Sequence, residues 1–243
     1  MRCWMSAFSL LVLACFRVAA IDSAPNVAGA ADQGTYLADI SALLSKQWPA
    51  NRTVNIVFHG HSVPAGYAKT PLVDTFDAYP YLVHRALKER FPFAVINCIV
   101  TAIGGENAEQ GAKRFERDVL SMRPDVITID YALNDRALGL KRSEAAWRQM
   151  IEMALKANVR VLLLTPSIDL KAGLDDPGDP LNQHAEQIRR LAAEYHVGLV
   201  DSLARFKDFI HQGGKAKDLM AQSNHPNRKG HELIGGEVAK WFP

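Results

Sequence analysis

The chain has 243 residues, of which 28 are basic and 26 acidic, with 48% apolar and 22% charged residues overall. That length accommodates one well-buried domain, and the composition is ordinary for a globular protein, which excludes collagen-like, coiled-coil and disordered classes. The near-balance of charge, with no Lys/Arg cluster interleaved with aromatics, excludes nucleic acid or an anionic membrane surface as the expected partner.

The first twenty residues differ in kind. Arg2 precedes the apolar run "MSAFSLLVLACF", which is too short to span a bilayer, and Val18-Ala19-Ala20 forms a small-residue cleavage site. Residues 1–20 are therefore expected to be an export signal that delivers the protein to the periplasm or outside the cell. An uncleaved anchor and a lipid on Cys15, at the end of "VLAC", are the alternatives. Cleavage removes Arg2 and Arg17 and leaves 26 basic against 26 acidic residues, with no membrane span expected in the mature chain. Cys98 then has no disulfide partner, and "INCIV" offers no base or cation to make its thiol reactive, so a buried packing role is expected.

Residues 21–33 read as a polar leader and residues 34–243 as one domain, without internal repeat or linker. "YLADISALLSKQW" spaces Leu37, Ile40, Leu43 and Leu44 at helical intervals, and Pro49 closes the segment. Short runs rich in Val, Ile and Leu follow at 54–58, 94–100, 125–130, 159–164 and 197–200, each suited to a strand buried on both faces. Helical stripes lie between them: Leu82, Val83, Ala86 and Leu87; Trp147, Met150, Ile151, Ala154 and Leu155; then Ala185, Ile188, Leu191, Ala192 and Tyr195. Leu233, Ile234 and Val238 mark a last helix. Strands alternating with helices predict a parallel sheet of about five strands covered on both faces, a three-layer α/β/α sandwich. The irregular segment 165–180 carries several aspartates whose spacing matches no EF-hand, so solvated turns are expected there.

Ligands of open parallel sheets bind beyond the carboxyl ends of the strands. The loops there carry His59-Gly60-His61-Ser62, Gly104-Gly105-Glu106-Asn107 and Leu133-Asn134-Asp135-Arg136, and "NHPNRKGH" places His225 before the last helix. Gly-x-Ser-x-Gly, the α/β-hydrolase signature, fails at Pro64, and Gly105 and Asn134 are poor partners for a metal held by His59 and His61. No metal and no cofactor is expected. Arg136 could meet an acidic sugar or pair with a neighbouring carboxylate, the latter being favoured.

In order, "GHSVPAGY", "TAIGGENA", "YALNDR" and "NHPNRKGH" resemble the four sequence blocks of the SGNH, or GDSL-type, hydrolase superfamily, over about Val54 to His231. The resemblance implies a flavodoxin-like SGNH-hydrolase fold and ester hydrolysis. Ser62 would be the nucleophile and His225 its base, and the N–H groups of Ser62 and Gly105 with the Asn134 amide would form the oxyanion hole. Two blocks depart from the family: His61 stands where relatives have aspartate before the serine, and Gln222 where they have aspartate before the histidine. Gln222, through its carbonyl or its amide oxygen, is then expected to orient Nδ1–H of His225, with Asp218 as the rival. Export and a polar loop suit a small-molecule or polysaccharide ester, such as an acetylated sugar. A lipase, lysophospholipase or thioesterase, and a non-catalytic carbohydrate-binding relative, are the alternatives. Nothing in the sequence specifies an oligomeric state.

Overall fold

The computed structural model describes residues 29–243, so the expected signal segment, with Cys15, lies outside the described residues. Helix α1 (Ala38–Leu44) is followed by β1 (Thr53–Gly60), the short α2 (Ser62–Ala65), α3 (Tyr79–Arg90), β2 (Val95–Val100), α4 (Ala108–Asp118), β3 (Val126–Asp130) and the short α5 (Ala132–Asp135). Then come α6 (Leu140–Lys156), β4 (Arg160–Leu164), α7 (Pro180–Tyr195), β5 (Gly198–Val200), α8 (Ser202–His211), the two-strand pair β6 (Met220–Gln222) and β7 (His225–Pro226), and α9 (Arg228–Ala239).

The main sheet is parallel throughout, in the order β2-β1-β3-β4-β5. Side chains alternate across it with the two-residue period of a strand. Ile56, Phe58, Leu162 and Leu164 join the core cluster that includes Tyr79, Val83, Phe206 and Val238. Val57, Ile127, Ile129, Val161 and Leu163 join the opposite cluster, with Phe115, Trp147 and Leu191. Helices α3, α8 and α9 thus cover one face and α4, α6 and α7 the other, a three-layer α/β/α sandwich.

Three expectations need correction. Strand β2 is an edge strand rather than one buried on both faces, and Val95 is 48% exposed on it. The end of the expected leader belongs to the fold: the Ala31 N–H bonds to the Val197 carbonyl ahead of β5. The aspartates of segment 165–180 are not all solvated, because Asp169 is buried against Arg136 at 2.9 Å and Asp179 caps α7.

Strands β2 and β3 lie on opposite sides of β1, so the chain departs in opposite directions after adjacent strands. A crevice opens there at their carboxyl ends. Strands β1 and β3 approach closely at that point, where a Cβ on Gly60 would come within 2.5 Å of the Asp130 carbonyl.

Candidate active site

Strand β1 delivers Ser62 to the crevice through a sharp change of conformation. His61 leaves the strand as the N-cap of α2, its Nδ1 accepting the Val63 N–H at 3.1 Å, and Gly66, in the left-handed region, ends the helix one turn later. Ser62 is the first helical residue and is 6% exposed.

The Ser62 hydroxyl lies 2.9 Å from Nε2 of His225. On the other side of that ring, Nδ1 is 3.0 Å from the Ala68 carbonyl. A carbonyl only accepts, so Nδ1 carries the ring proton and the lone pair of Nε2 faces the serine. Burial pushes the His225 pKa below its ordinary value, the Ala68 carbonyl pulls the other way, and His61 adds to the lowering. The imidazole is therefore neutral at neutral pH and free to accept a proton.

Ala68 belongs to a hairpin that folds back on α2. Tyr67 bridges to Val73, Tyr67 N–H bonds to the Ser62 carbonyl, and Asp74 N–H bonds to the Gly66 carbonyl. Here the expected role of Gln222 is corrected. Its amide oxygen accepts the Thr70 N–H at the hairpin tip at 3.0 Å, and its amide nitrogen donates to Asn224 at 3.1 Å. Gln222 pairs with His225 across the β6–β7 ladder, an arrangement that sends its side chain to the hairpin and leaves Nδ1 to Ala68. Asp218 does not take that place either; its backbone carbonyl accepts the Asn227 amide.

The glycine and asparagine blocks meet on the other side of the crevice. Gly105 has φ +82 with open space where a Cβ would sit, the backbone state that favours glycine. The Asn134 amide donates to the carbonyl of the next residue, Glu106, at 2.8 Å, which leaves its second N–H for another acceptor. Beneath that turn, the Glu106 carboxylate receives Nε of Arg114 at 2.8 Å and the Tyr131 hydroxyl at 3.0 Å. The Tyr131 hydroxyl in turn lies 3.1 Å from Nε2 of His59, whose Nδ1 meets the Thr101 hydroxyl at 2.9 Å. Asp135 accepts from Ala108 N–H, the Ser143 hydroxyl and the Trp147 indole, at 2.7, 2.8 and 2.7 Å, which offsets the burial that raises its pKa.

Tyr67 spans both sides, with its ring 5.9 Å from that of His225 and against Gly104, where a Cβ would meet it at 2.9 Å. Of the five expected residues, Ser62 and His225 bond to each other on one side of the crevice, and on the other Asn134 bonds to the carbonyl of the residue after Gly105. Gln222 supports from outside. Cys98, half-buried, has its thiol pushed up to about 12 by burial. Among the described residues no group of three His, Cys, Asp or Glu side chains is placed to hold a metal ion. A hollow of about 570 Å³ lies between α6 and α7, and none of these five residues lines it.

Residues 58–233 match the GDSL-like Lipase/Acylhydrolase family, and the chain belongs to it. It is accordingly a hydrolase of ester bonds. Among solved structures, the chain is similar to an acetylxylan esterase from Geobacillus stearothermophilus, at 20% identity and a TM-score of 0.67, covering 78% of this chain and 94% of that one. It is also similar to a two-domain esterase active on acetylated mannans, co-crystallized with mannopentaose, at 21% identity and a TM-score of 0.70 over 87% of this chain. The chain spans about half of that esterase, 54% of its length. At such identities the likeness is one of fold, a flavodoxin-like SGNH-hydrolase sandwich. No curated protein matches the chain in sequence.

Proposed function

We propose that the protein removes short acyl groups, acetyl above all, from the hydroxyls of a carbohydrate. The observation that carries the chemistry is the continuous line from the Ser62 hydroxyl through His225 to the Ala68 carbonyl. Ser62 Oγ attacks the ester carbonyl carbon while Nε2 of His225 takes the hydroxyl proton, giving a tetrahedral intermediate. The N–H groups of Ser62 and Gly105 and the free Asn134 N–H receive its oxyanion. Collapse breaks the bond to the sugar oxygen, which leaves with the proton from Nε2. Water, deprotonated by the same nitrogen, then releases the acid from Ser62.

The substrate class rests on the acetylxylan and acetylated-mannan esterases that share the fold. The apolar segment ahead of the described residues supports export, and a polymeric substrate outside the cell suits an exported enzyme. A second reading has its own observation. Leu72, Val73, Phe76, Ile103 and Leu170 are exposed in loops that follow the carboxyl ends of the strands, an apolar rim that would suit a lipid acyl chain.

Hydrolysis of p-nitrophenyl acetate, butyrate and octanoate, beside acetate release from acetylated xylan and mannan, decides between them. Activity falling steeply with chain length, and lost in Ser62→Ala, is the expected result. A rise toward octanoate with no acetate released from either polymer would overturn the carbohydrate reading. A serine-directed phosphonate that fails to label Ser62 in the folded protein would overturn the enzyme reading and favour a non-catalytic binding relative.

A further inference from the structure

Asp130, the last residue of β3, is 4% exposed, and among the described residues no lysine or arginine pairs with it. Its Oδ2 accepts the Tyr79 hydroxyl at 3.2 Å, and its Oδ1 lies 3.4 Å from Nε2 of His61. The opposite nitrogen of that ring, Nδ1, accepts the Val63 N–H at 3.1 Å and stands 3.5 Å from the Ser62 hydroxyl. Since Nδ1 is an acceptor, the ring proton sits on Nε2, which makes no hydrogen bond and has the carboxylate oxygen 3.4 Å away. A buried carboxylate without a cationic partner is costly to keep. Here it stands one imidazole away from the nucleophile, on the side opposite His225. The base end of the site has only a neutral carbonyl to balance the imidazolium formed during turnover.

We propose that Asp130, acting through His61, is a positioning residue that supplies the carboxylate missing behind His225. It holds His61 in the tautomer whose Nδ1 caps α2 and seats Ser62. Its charge favours protonated His225 from across the serine. The groups facing this cluster come from several elements: His61 and Ser62 after β1, Tyr67 in the hairpin, Tyr79 on α3, Cys98 on β2, and His225 with His231 at the C-terminal end. Burial and the neighbouring His225 lower the His231 pKa to about 3, so His231 stays neutral and does not cancel the carboxylate. His61 lowers the His225 pKa, so positive charge on that ring would oppose catalysis.

The proposal rests on reading Ser62 and His225 as nucleophile and base, and its test separates the two. Asp130→Asn keeps an oxygen near His61 Nε2 and removes the charge. We expect kcat to fall roughly tenfold with KM within about twofold, and the acid limb of kcat/KM to move down by about half a pH unit, because His225 loses a stabilising anion. An unchanged kcat overturns the proposal, and so does a fall in kcat with the acid limb unmoved, which marks a merely structural role. His61→Asp/Asp130→Asn transfers the single carboxylate to the cap position, where aspartate also caps a helix. That double variant should recover to within about threefold of wild type, and a folded double variant no better than Asp130→Asn overturns the charge role. In the unaltered protein, the ¹⁵N shifts of the His61 ring should report protonated Nε2 and bare Nδ1. The opposite tautomer overturns the proposal whatever the variants do, and this readout does not depend on activity. Full activity in Ser62→Ala would instead sink the dyad reading.

Discussion

The two sides of the crevice are built differently. On the oxyanion side, the turn carrying Gly105 is fastened by Asn134 above and by a buried ion pair and tyrosine below, while Asp135 ties α4 to α6 through Ala108, Ser143 and Trp147. On the base side, His225 is oriented by one backbone carbonyl in a hairpin whose exposed tip is tied to β6 by one glutamine. Groups that stabilise a developing charge must not reorganise when it appears, whereas a base has to gain and lose a proton in each half-reaction. The rigid side is thus the one that holds still, and the lightly held side is the one that changes state.

The comparison is broken most directly at its reactive groups. His225→Ala should lower kcat by about 10³-fold or more, as should Ser62→Ala, with the remaining rate owed to the oxyanion side alone. Equal residual rates in the single variants and in the double variant would show that the two act as a unit. Asn134→Ala should cost about 10²–10³ in kcat with little change in KM, the size expected for one oxyanion donor. Arg114→Leu attacks the scaffold instead. It leaves the Glu106 carboxylate buried without its cation, and denaturant unfolding should report a loss of about 3–5 kcal/mol. If the protein kept its stability, the firm side would not be firm for the reason given.

Much of this was legible in the sequence. The five apolar runs mark β1 to β5 to within two residues at each end, because strands buried in a doubly covered sheet are continuous and apolar. Helix α4 was not, because the stripe it turns to the sheet is Ala108, Gly111, Ala112 and Phe115, in which only the last is large enough to read as apolar. Its start was available all the same in the Asn107–Gln110 capping box. Helix α8 was missed although Leu203 and Phe206 make a helical stripe after the capping Asp201. In the site, Ser62, Gly105, Asn134 and His225 stand out because their side chains, or the lack of one, define their blocks. The Ala68 carbonyl could not, since every residue has one and only the hairpin aims this one at His225. Asp130 looked like the end of a strand, and its meaning depends on His61 lying beside it in space.

Acid should weaken both sides together. His59 beneath the oxyanion turn and His231 behind the base are each held neutral by burial, which lowers both pKa values to about 3. Both are depressed in the folded state, so the unfolded chain takes up these protons first, near its ordinary pKa of about 6.5. Stability is full above that pH and is lost as pH falls toward 3, by up to about 1.4 kcal/mol per unit for each histidine. Melting temperatures should be level from pH 8 to 7 and decline below about 6.5. A flat curve down to pH 5 would contradict the assignment of both rings as neutral. The acid limb of activity follows a different group, His225, and should lie below the ordinary imidazole value because burial lowers that pKa too.

The smallest expected effect is the one that sharpens the contrast most. Gln222→Ala removes the acceptor for Thr70 N–H at the hairpin tip, two residues from the carbonyl that orients His225. The lost bond is exposed, so water can replace it, and kcat should fall only about three- to tenfold with KM unchanged. Gln222→Glu keeps an oxygen in place and should lose less than Gln222→Ala. Asp218→Asn, away from the ring, should leave both constants as they are. A loss of 10²-fold in Gln222→Ala would mean that the hairpin depends on that single contact and that the base side tolerates no more displacement than the oxyanion side. A loss confined to a few-fold would mean that the Tyr67–Val73 bridge and the Asp74 N–H bond to the Gly66 carbonyl already hold the Ala68 carbonyl in line. The glutamine would then trim an orientation that the hairpin itself creates.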